Sequence, residues 1–382
     1  MLSEMLRASD SIEGEKESMF LDFQNPLHTV KESNSTILTT KLIASFKSAD
    51  DLVGSKTASE VQVKTTNTVI DAKPSVLVEA PKSSTACSTV RGQITNTSSC
   101  GFATHCGQRY TQEDTYFVGQ VCYQRNTLNG VFRTDFPGCF GIFDGHGGIR
   151  ASTFCANYAF RKFGRKIQEN GASIEEVLYD AIYALDDDFC AIIRRSQAQR
   201  HARSKEEGST CLLAVIRDNI VHIANVGDSR AIICTHKGKY ISLSRDHKPQ
   251  VGEERVKIEA RGGIVTGYPA CFYAIWPINK LIDVPRVNGL LSMSRSIGDV
   301  GLKPWITCEP DITTRQLCAK TDKFLILATD GLWDVLSSRK AAKIAYCYDD
   351  PQDAADALIL EALRRKTHDN ITVLIIDLAS YF

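Results

Sequence analysis

Apolar runs of strand length alternate with polar turn residues along most of the chain. Two pairs of runs, residues 210–216 with 220–226 and residues 231–234 with 240–243, are each joined by a short turn, which predicts β-hairpins. A further apolar run at residues 371–378 predicts a final strand. Because hairpin turns join neighbouring strands in opposite directions, the pattern predicts antiparallel sheets.

Helical apolar spacing appears between and after these runs. Residues 149–163 have the period of an amphipathic helix, and Ser173 with Glu176 forms a capping box that opens a second, longer helix. Asp350 and Pro351 provide an N-cap and a first-turn proline for a helix near the C-terminus. Antiparallel hairpins with helices inserted in pairs predict an α+β layered domain and not a Rossmann-type alternation.

The first 95 residues lack this patterning. They are rich in Ser, Thr, Lys and Glu and contain few aromatic residues, so they bury too little apolar surface to offset the entropy cost of ordering. We therefore predict a largely disordered N-terminal extension over residues 1–95 and a folded domain over residues 96–382. A short apolar piece at residues 19–23 could instead dock on the domain or on a partner.

The composition narrows the classes of function. Lys plus Arg and Asp plus Glu both number 45 among the 382 residues, so no basic field for nucleic acid is indicated. No stretch approaches the ~18 consecutive apolar residues of a membrane-spanning helix. The 13 cysteines form no Cys-x-x-Cys pair and several lie in apolar runs, which favours a reduced compartment. We expect a soluble monomer of the cytoplasm or nucleus.

Two apolar runs end in an Asp-Gly pair, at Asp144 and at Asp330. A carboxylate at the end of a buried strand, beside a glycine that lets the backbone approach closely, is typical of a site for a hard metal ion. Asp-Gly alone is a common turn signal, but other acidic residues accompany the two pairs: Glu113, Asp114, Asp228, Asp299 and Asp369. Oxygen ligands favour Mg²⁺ or Mn²⁺ over zinc, so the sequence predicts a metal-dependent hydrolase.

Seven short motifs in a fixed order closely resemble those of the metal-dependent protein serine/threonine phosphatases, the protein phosphatase 2C family. The resemblance covers about residues 100 to 380. The motifs are RYTQED at 109–114, FDGHGG at 143–148, GST at 208–210, VGDSR at 226–230, SMSRSIGD at 292–299, DGLWD at 330–334 and DNIT at 369–372.

The resemblance implies a four-layer α-β-β-α sandwich, in which two antiparallel sheets are flanked by pairs of helices. It also implies hydrolysis of phosphoserine and phosphothreonine on phosphorylated protein substrates. Two Mg²⁺ or Mn²⁺ ions would activate a water molecule that attacks phosphorus directly, without a phosphoenzyme.

Metal-binding roles follow from the resemblance, position by position. Asp144 looks like the carboxylate that bridges two ions. Glu113 and the Gly145 carbonyl would bind one ion, whereas Asp330 and Asp369 would bind the other. Two further aspartates have weaker roles: Asp114 would act through a metal-bound water, and Asp228 would form a third, weaker metal position together with Asp330.

Two further residues resemble groups that act on the substrate. Arg109 resembles the arginine that binds the phosphoryl group, whose planar fork can hold two oxygens. His146 resembles the proposed general acid that protonates the departing serine or threonine oxygen. Asp299 is open between structuring its turn and supporting a metal ion indirectly, and Arg230, Asp334 and His247 are expected to be structural.

Two alternative functions accompany this interpretation. The chain could be a catalytically inactive phosphatase-like protein that binds a partner, although the metal-binding carboxylates are all present. A metal-dependent phosphodiesterase or nuclease would need a basic groove, which the balanced charge argues against.

Residues 264–285, with Tyr268, Phe272, Tyr273 and Trp276, form a longer flap region that could grip a protein substrate or simply cover the domain edge.

Overall fold

The computed structural model describes residues 76–77, 90–94, 100–120, 124–127, 130–133, 138–163, 173–200, 206–267 and 284–382. Most of the predicted N-terminal extension and the aromatic part of the flap region lie outside these described residues. Two short strands, at 76–77 and 90–94, do fall within the segment predicted to be largely disordered.

The strands in the described residues are β1 (Val76–Leu77), β2 (Val90–Ile94), β3 (Cys100–His105), β4 (Thr115–Gln120), β5 (Gln124–Thr127), β6 (Gly130–Arg133), β7 (Gly138–Phe143), β8 (Gly145–His146), β9 (Gly208–Ser209), β10 (Cys211–Arg217), β11 (Ile220–Val226), β12 (Arg230–Thr235), β13 (Tyr240–Ser242), β14 (Val265–Thr266), β15 (Arg286–Val287), β16 (Ile297–Gly298), β17 (Asp311–Gln316), β18 (Asp322–Ala328) and β19 (Ile371–Asp377). The α-helices there are α1 (Arg150–Phe163), α2 (Ile174–Arg200), α3 (Gly252–Ala260), α4 (Asp330–Trp333), α5 (Ser338–Tyr346) and α6 (Pro351–Arg364).

Two six-stranded sheets form the centre of the fold. Their strand orders are β1-β4-β7-β10-β11-β17 and β13-β12-β18-β19-β3-β2, and neighbouring strands in both are antiparallel. Helices α1 and α2 pack on the first sheet, and α5 and α6 pack on the second. The predicted four-layer sandwich is therefore confirmed.

The continuous apolar strands are explained by burial on both faces. In β18, Leu325 and Leu327 belong to the core between the two sheets, whereas Phe324, Ile326 and Ala328 belong to a second core beneath α5 and α6. Because side chains alternate between the faces of a strand, a strand between two cores must be apolar at every position. The same alternation holds along β19.

Local signals set the element boundaries that the sequence predicted. Asp218 and Asn219 both have positive φ values, 51° and 59°, as the two central residues of a tight hairpin turn require, and they join β10 to β11. Ser173 Oγ accepts a hydrogen bond from the Glu176 amide (3.1 Å) at the start of α2. The hairpin and the helix start are both confirmed.

We expect Asp350→Ala to lower the free energy of unfolding by about 1 kcal/mol, because the N-cap of α6 would be lost. The Asp350 carboxylate accepts hydrogen bonds from the amides of Gln352 (2.7 Å) and Asp353 (3.3 Å). Urea unfolding measures the change. Asp349→Ala is the matched control, since the exposed Asp349 makes only a surface ion pair with Lys323. Equal losses in both variants would contradict the capping role.

A smaller apolar cluster lies beside the sandwich. Ile258 of α3 packs with Val265 and Val287 of the β14-β15 pair and with Leu302 and Ile306. These strands bracket the flap region, so its ends belong to a packed structure. No helix in the described ranges is long and apolar enough to cross a membrane.

Candidate functional site

Acidic residues flank the strand ends that meet at one edge of the two sheets. In the first sheet the start of β4 pairs with the end of β7, and the start of β10 pairs with the ends of β7 and β11. In the second sheet the end of β18 pairs with the start of β19. The residues next to these strand ends are Glu113, Asp114, Asp144, Asp228, Asp330 and Asp369. The two sheets thus bring together residues that are far apart in the sequence.

Backbone hydrogen bonds fix the position of Asp144 directly after β7. Its amide donates to Thr210 Oγ1 (2.9 Å), and its carbonyl accepts from the Thr210 amide (2.9 Å). The next residue, Gly145, allows a close backbone approach, since a Cβ there would lie 2.5 Å from the Glu113 carbonyl oxygen. The motif that contains Thr210 therefore has a structural role, because its hydrogen bonds are to the Asp144 backbone.

Two threonines hold Asp114 between the sheets. Thr329 Oγ1 and Thr372 Oγ1 each donate to Asp114 Oδ2 at 2.9 Å, and Thr329 Oγ1 also accepts from the Thr372 amide. Thr372 lies in β19 of the second sheet and Thr329 directly follows β18, whereas Asp114 directly precedes β4. The sequence offered no signal for this role of either threonine.

The buried carboxyl groups raise one another's pKa values. Burial raises the pKa of Asp144 well above its usual range, and four nearby charges raise it further: Asp114, Asp330, Asp228 and Asp369. Burial likewise raises the pKa of Asp330, again with a contribution from Asp228. Burial also raises the pKa of Asp114 to about 7, against the two threonine hydrogen bonds. Closely placed carboxylates of this kind are stabilised by cations.

Two basic side chains contact the acidic cluster. Arg109 Nη2 lies 2.7 Å from Asp369 Oδ2, and Arg109 is exposed, with 57% of its side-chain surface accessible. Lys248 Nζ lies 3.2 Å from Asp228 Oδ2 and 3.6 Å from Asp334 Oδ1. Arg109 therefore lies at the rim of the site, and Lys248 neutralises part of its deeper charge. The sequence interpretation missed Lys248, although it follows His247 in the motif DHKP.

The donor atoms of the cluster suit a hard divalent cation, but the side chains are not arranged around a common point. Its donors are carboxylate oxygens, and no described residue donates a hydrogen bond to buried Asp114 Oδ1 or Asp228 Oδ1. No group of three His, Cys, Asp or Glu side chains in the described part of the chain is arranged to hold a metal ion as it stands. Asp369 and Asp228 are instead paired with Arg109 and Lys248, which accounts for part of the difference between the donor chemistry and the arrangement of the side chains.

His146 contacts a different carboxylate from those in the cluster. Its Nε2 lies 2.9 and 2.8 Å from the two oxygens of fully buried Asp299. Burial lowers the pKa of His146, but the charges of Asp299, Asp228 and Glu113 raise it, and the net shift is upward. The sequence indicates a turn residue or an indirect support for a metal ion at Asp299, and it does not predict the contact with His146.

Arg230 and His247, two of the three residues expected to be structural, make contacts within the fold, whereas the third, Asp334, contacts Lys248. Arg230 makes a two-pronged ion pair with Asp246, at 2.8 and 2.7 Å, and its guanidinium lies over the Trp333 ring. His247 is fully buried, and its Nδ1 accepts from the Gly227 amide at 3.1 Å.

We expect Lys248→Met to lower the free energy of unfolding in chelator by about 1–3 kcal/mol, because buried Asp228 would lose its paired charge. Urea unfolding in the presence of EDTA measures the change. Lys257→Met is the matched control, since Lys257 is more exposed and its carboxylate contacts, to Glu254 and Glu309, are 4.0 and 3.9 Å long. An equal loss in the two variants would contradict the pairing of Lys248 with Asp228.

Comparisons with known proteins place these features in a wider context. The family model described as Protein phosphatase 2C matches residues 99–371. The chain is 34% identical over 281 residues to "Probable protein phosphatase 2C 59" of Arabidopsis thaliana, covering 73% of this chain and 79% of that protein. It is 35% identical over 273 residues to "Protein phosphatase 1L" of Bos taurus, covering 71% and 69%.

Solved structures share the fold. A serine-threonine phosphatase 2C from Toxoplasma gondii aligns with a TM-score of 0.57 at 22% identity, over 76% of this chain and 99% of that one. A C. elegans sex determining protein aligns with a TM-score of 0.58 at 23% identity, over 78% and 66%.

Proposed function

Because this chain belongs to the protein phosphatase 2C family and is a protein serine/threonine phosphatase, we propose that it hydrolyses phosphoserine and phosphothreonine esters of proteins with two Mg²⁺ or Mn²⁺ ions at the acidic strand ends. The observation that carries the proposal is the convergence of aspartates from five separate segments at one edge of the sandwich, where Asp114 and Asp228 are buried. Grouping these charges destabilises the protein unless cations neutralise them.

The donor set supports Mg²⁺ or Mn²⁺, since the cluster offers carboxylate and carbonyl oxygens and no thiolate. Asp144 would bridge the ions, with Glu113 and the Gly145 carbonyl on one side. Asp330 and Asp369 would bind on the other side, and Asp114 would act indirectly. When bound, such ions lower the pKa of water and neutralise charge on the phosphoryl group. Asp228 would belong to a third, weaker position, where Lys248 already supplies a positive charge.

Arg109 is suited to binding the phosphoryl group. Its guanidinium is exposed and is held at the rim by Asp369 and by the His368 carbonyl, 3.3 Å from Nε. A planar fork of donors can turn towards two phosphoryl oxygens while keeping part of this anchoring. Arg109 would thus orient the phosphate and balance its charge as the ester bond breaks.

His146 is suited to protonating the leaving group. A serine or threonine oxygen leaves as a strongly basic alkoxide unless it receives a proton. The upward shift in the pKa of His146 favours the protonated ring, and Nδ1 has no hydrogen-bond partner in the part of the chain that the structure describes. His146 would donate this proton as the phosphorus–oxygen bond breaks.

The proposal is tested with the full-length chain and a phosphothreonine peptide, in Mn²⁺ and in chelator. We expect phosphate release only with metal, and calorimetric titration of the same sample should detect Mn²⁺ binding. An Mn²⁺-loaded protein that releases no phosphate from any phosphopeptide in a panel would contradict the proposal. That outcome would favour the inactive, partner-binding alternative.

A further inference from the structure

The Asp299 carboxylate is placed symmetrically on one nitrogen of His146. Its two oxygens lie 2.9 and 2.8 Å from Nε2, and no surface of Asp299 is exposed. The two residues are 153 positions apart, and they meet where β8 and β16 both pair with β9. A buried carboxylate on an imidazole nitrogen requires a proton there, so it selects which nitrogen remains for other partners.

Asp299 is held in place by its own surroundings. Its backbone has φ 49° and ψ 50°, and its amide donates to the Glu207 carbonyl at 2.9 Å. Ser296 Oγ donates to Asp299 Oδ2 at 2.5 Å. The carboxylate therefore cannot follow the histidine if the ring moves, and the ring is held by a fixed acceptor.

Gly208 leaves the space in which the pair forms. It is paired with His146 across the short strands β8 and β9, and a Cβ at this position would lie 2.6 Å from His146 Nε2 and would also collide with the Asp299 carboxylate. Any larger residue would push the two side chains apart. Gly208 thus offers a way to separate the pair while keeping both side chains.

The remaining nitrogen of His146 is buried and has no hydrogen-bond partner among the described residues. His146 lies two residues after Asp144, which belongs to the acidic cluster. An ion pair with a purely structural purpose would not require an unpartnered nitrogen next to the site. The arrangement leaves Nδ1 available to a substrate while Nε2 is occupied.

We propose that Asp299 is a positioning residue for His146, which it holds through Nε2 so that Nδ1 is presented to the departing serine or threonine oxygen. The inference rests on the proposed phosphatase function. In that step water adds its oxygen to phosphorus and the ester bond breaks, leaving its electron pair on the substrate oxygen. That oxygen takes the proton from Nδ1, and the proton lost by water returns the ring to its starting state. Asp299 stabilises the charged ring without exchanging protons itself.

The test compares two substrates for Asp299→Asn in the full-length protein. A phosphothreonine peptide has a strongly basic leaving oxygen that needs a proton, whereas p-nitrophenyl phosphate has a leaving group that departs without one. We expect kcat for the peptide to fall about 10–100-fold with a small change in KM. We expect kcat for p-nitrophenyl phosphate to change little.

Two sets of variants separate positioning from damage to the fold. Asp322→Asn is the matched control, because Asp322 is equally buried and pairs with Arg315 away from His146; it should affect both substrates alike. Gly208→Ala should reproduce the substrate preference of Asp299→Asn if the latter does not fold. In a double-mutant cycle, Asp299→Asn should add little to the loss caused by His146→Gln.

The outcomes are distinguishable. Equal losses on both substrates in Asp299→Asn and Gly208→Ala would overturn the positioning role, as would additive losses with His146→Gln. A wild-type protein that hydrolyses neither substrate in Mn²⁺ would instead overturn the proposed function on which the inference rests.

Discussion

Asp144→Asn should lower kcat for a phosphothreonine peptide by a factor on the order of 10³ or more, which corresponds to about 4 kcal/mol of lost transition-state stabilisation. Asp144 follows β7 at the centre of the cluster, and four other aspartates act on its charge. Its replacement should therefore disrupt cation binding. Phosphate release at saturating Mn²⁺ measures the loss.

The same substitution should stabilise the protein in the absence of divalent ions. The folded state raises the pKa of Asp144, so its ionised form at neutral pH destabilises the fold, and a neutral amide removes that penalty. A gain of about 1 kcal/mol would raise the melting temperature in EDTA by roughly 2–4 °C. Asp144→Asn should therefore be more stable than the parent in chelator and should gain less stability from Mn²⁺.

Asp114→Asn is the comparison for this prediction. Asp114 lies at the same edge, but two threonines hydrogen-bond to it and its proposed role is indirect. We expect a smaller loss of activity than for Asp144→Asn. If Asp144→Asn retained the activity of the parent, the assignment of Asp144 as the bridging carboxylate would be wrong.

Arg295→Met should lower the free energy of unfolding by about 3–5 kcal/mol, which is the largest stability effect we expect from a single substitution. Arg295 is fully buried, and its Nε and Nη2 lie 2.9 and 2.5 Å from the two carboxylate oxygens of Glu254 on α3. Its Nη1 donates to Asp311 and to the Glu309 carbonyl, both at 2.8 Å. Methionine would fill much of the volume but would leave buried Glu254 without its cation.

Arg245→Met is the matched control for Arg295. Arg245 also contacts Asp311, at 2.9 Å, but 53% of its side chain is exposed, so water can replace the lost pairing. Its expected cost is below about 1 kcal/mol. Urea unfolding of the two variants measures the difference, and similar costs would show that burial does not determine the strength of this network.

The Arg295 network should also respond to acid. Burial raises the pKa of Glu254, but the hydrogen bonds from Arg295 and Ser294 outweigh it and lower the pKa to about 2. The stability that this carboxylate contributes is therefore complete above its unfolded pKa of about 4.5 and is lost as the pH falls towards 2. The difference in stability between the parent and Arg295→Met should narrow over the same interval.

The sequence by itself determined several of the elements and the family. Short turns between apolar runs predicted the hairpins, and Asp350 with Pro351 predicted the start of α6. These signals can be read from the sequence because a turn or a helix cap depends only on residues a few positions apart. The apolar runs that end at Asp144 and Asp330 predicted buried strands, which are β7 and β18 in the structure. The seven motifs in order then identified the carboxylates at the strand ends, since each motif is local.

Only the tertiary structure decided which distant side chains meet. It paired Asp299 with His146 and Lys248 with Asp228, and it added strands β1 and β2 at the edges of the two sheets. It also arranged Thr329 and Thr372 around Asp114. The physical reason is that strand register and sheet packing fix these contacts, whereas a local pattern shows only that a charged or polar residue needs a partner and not which residue supplies it.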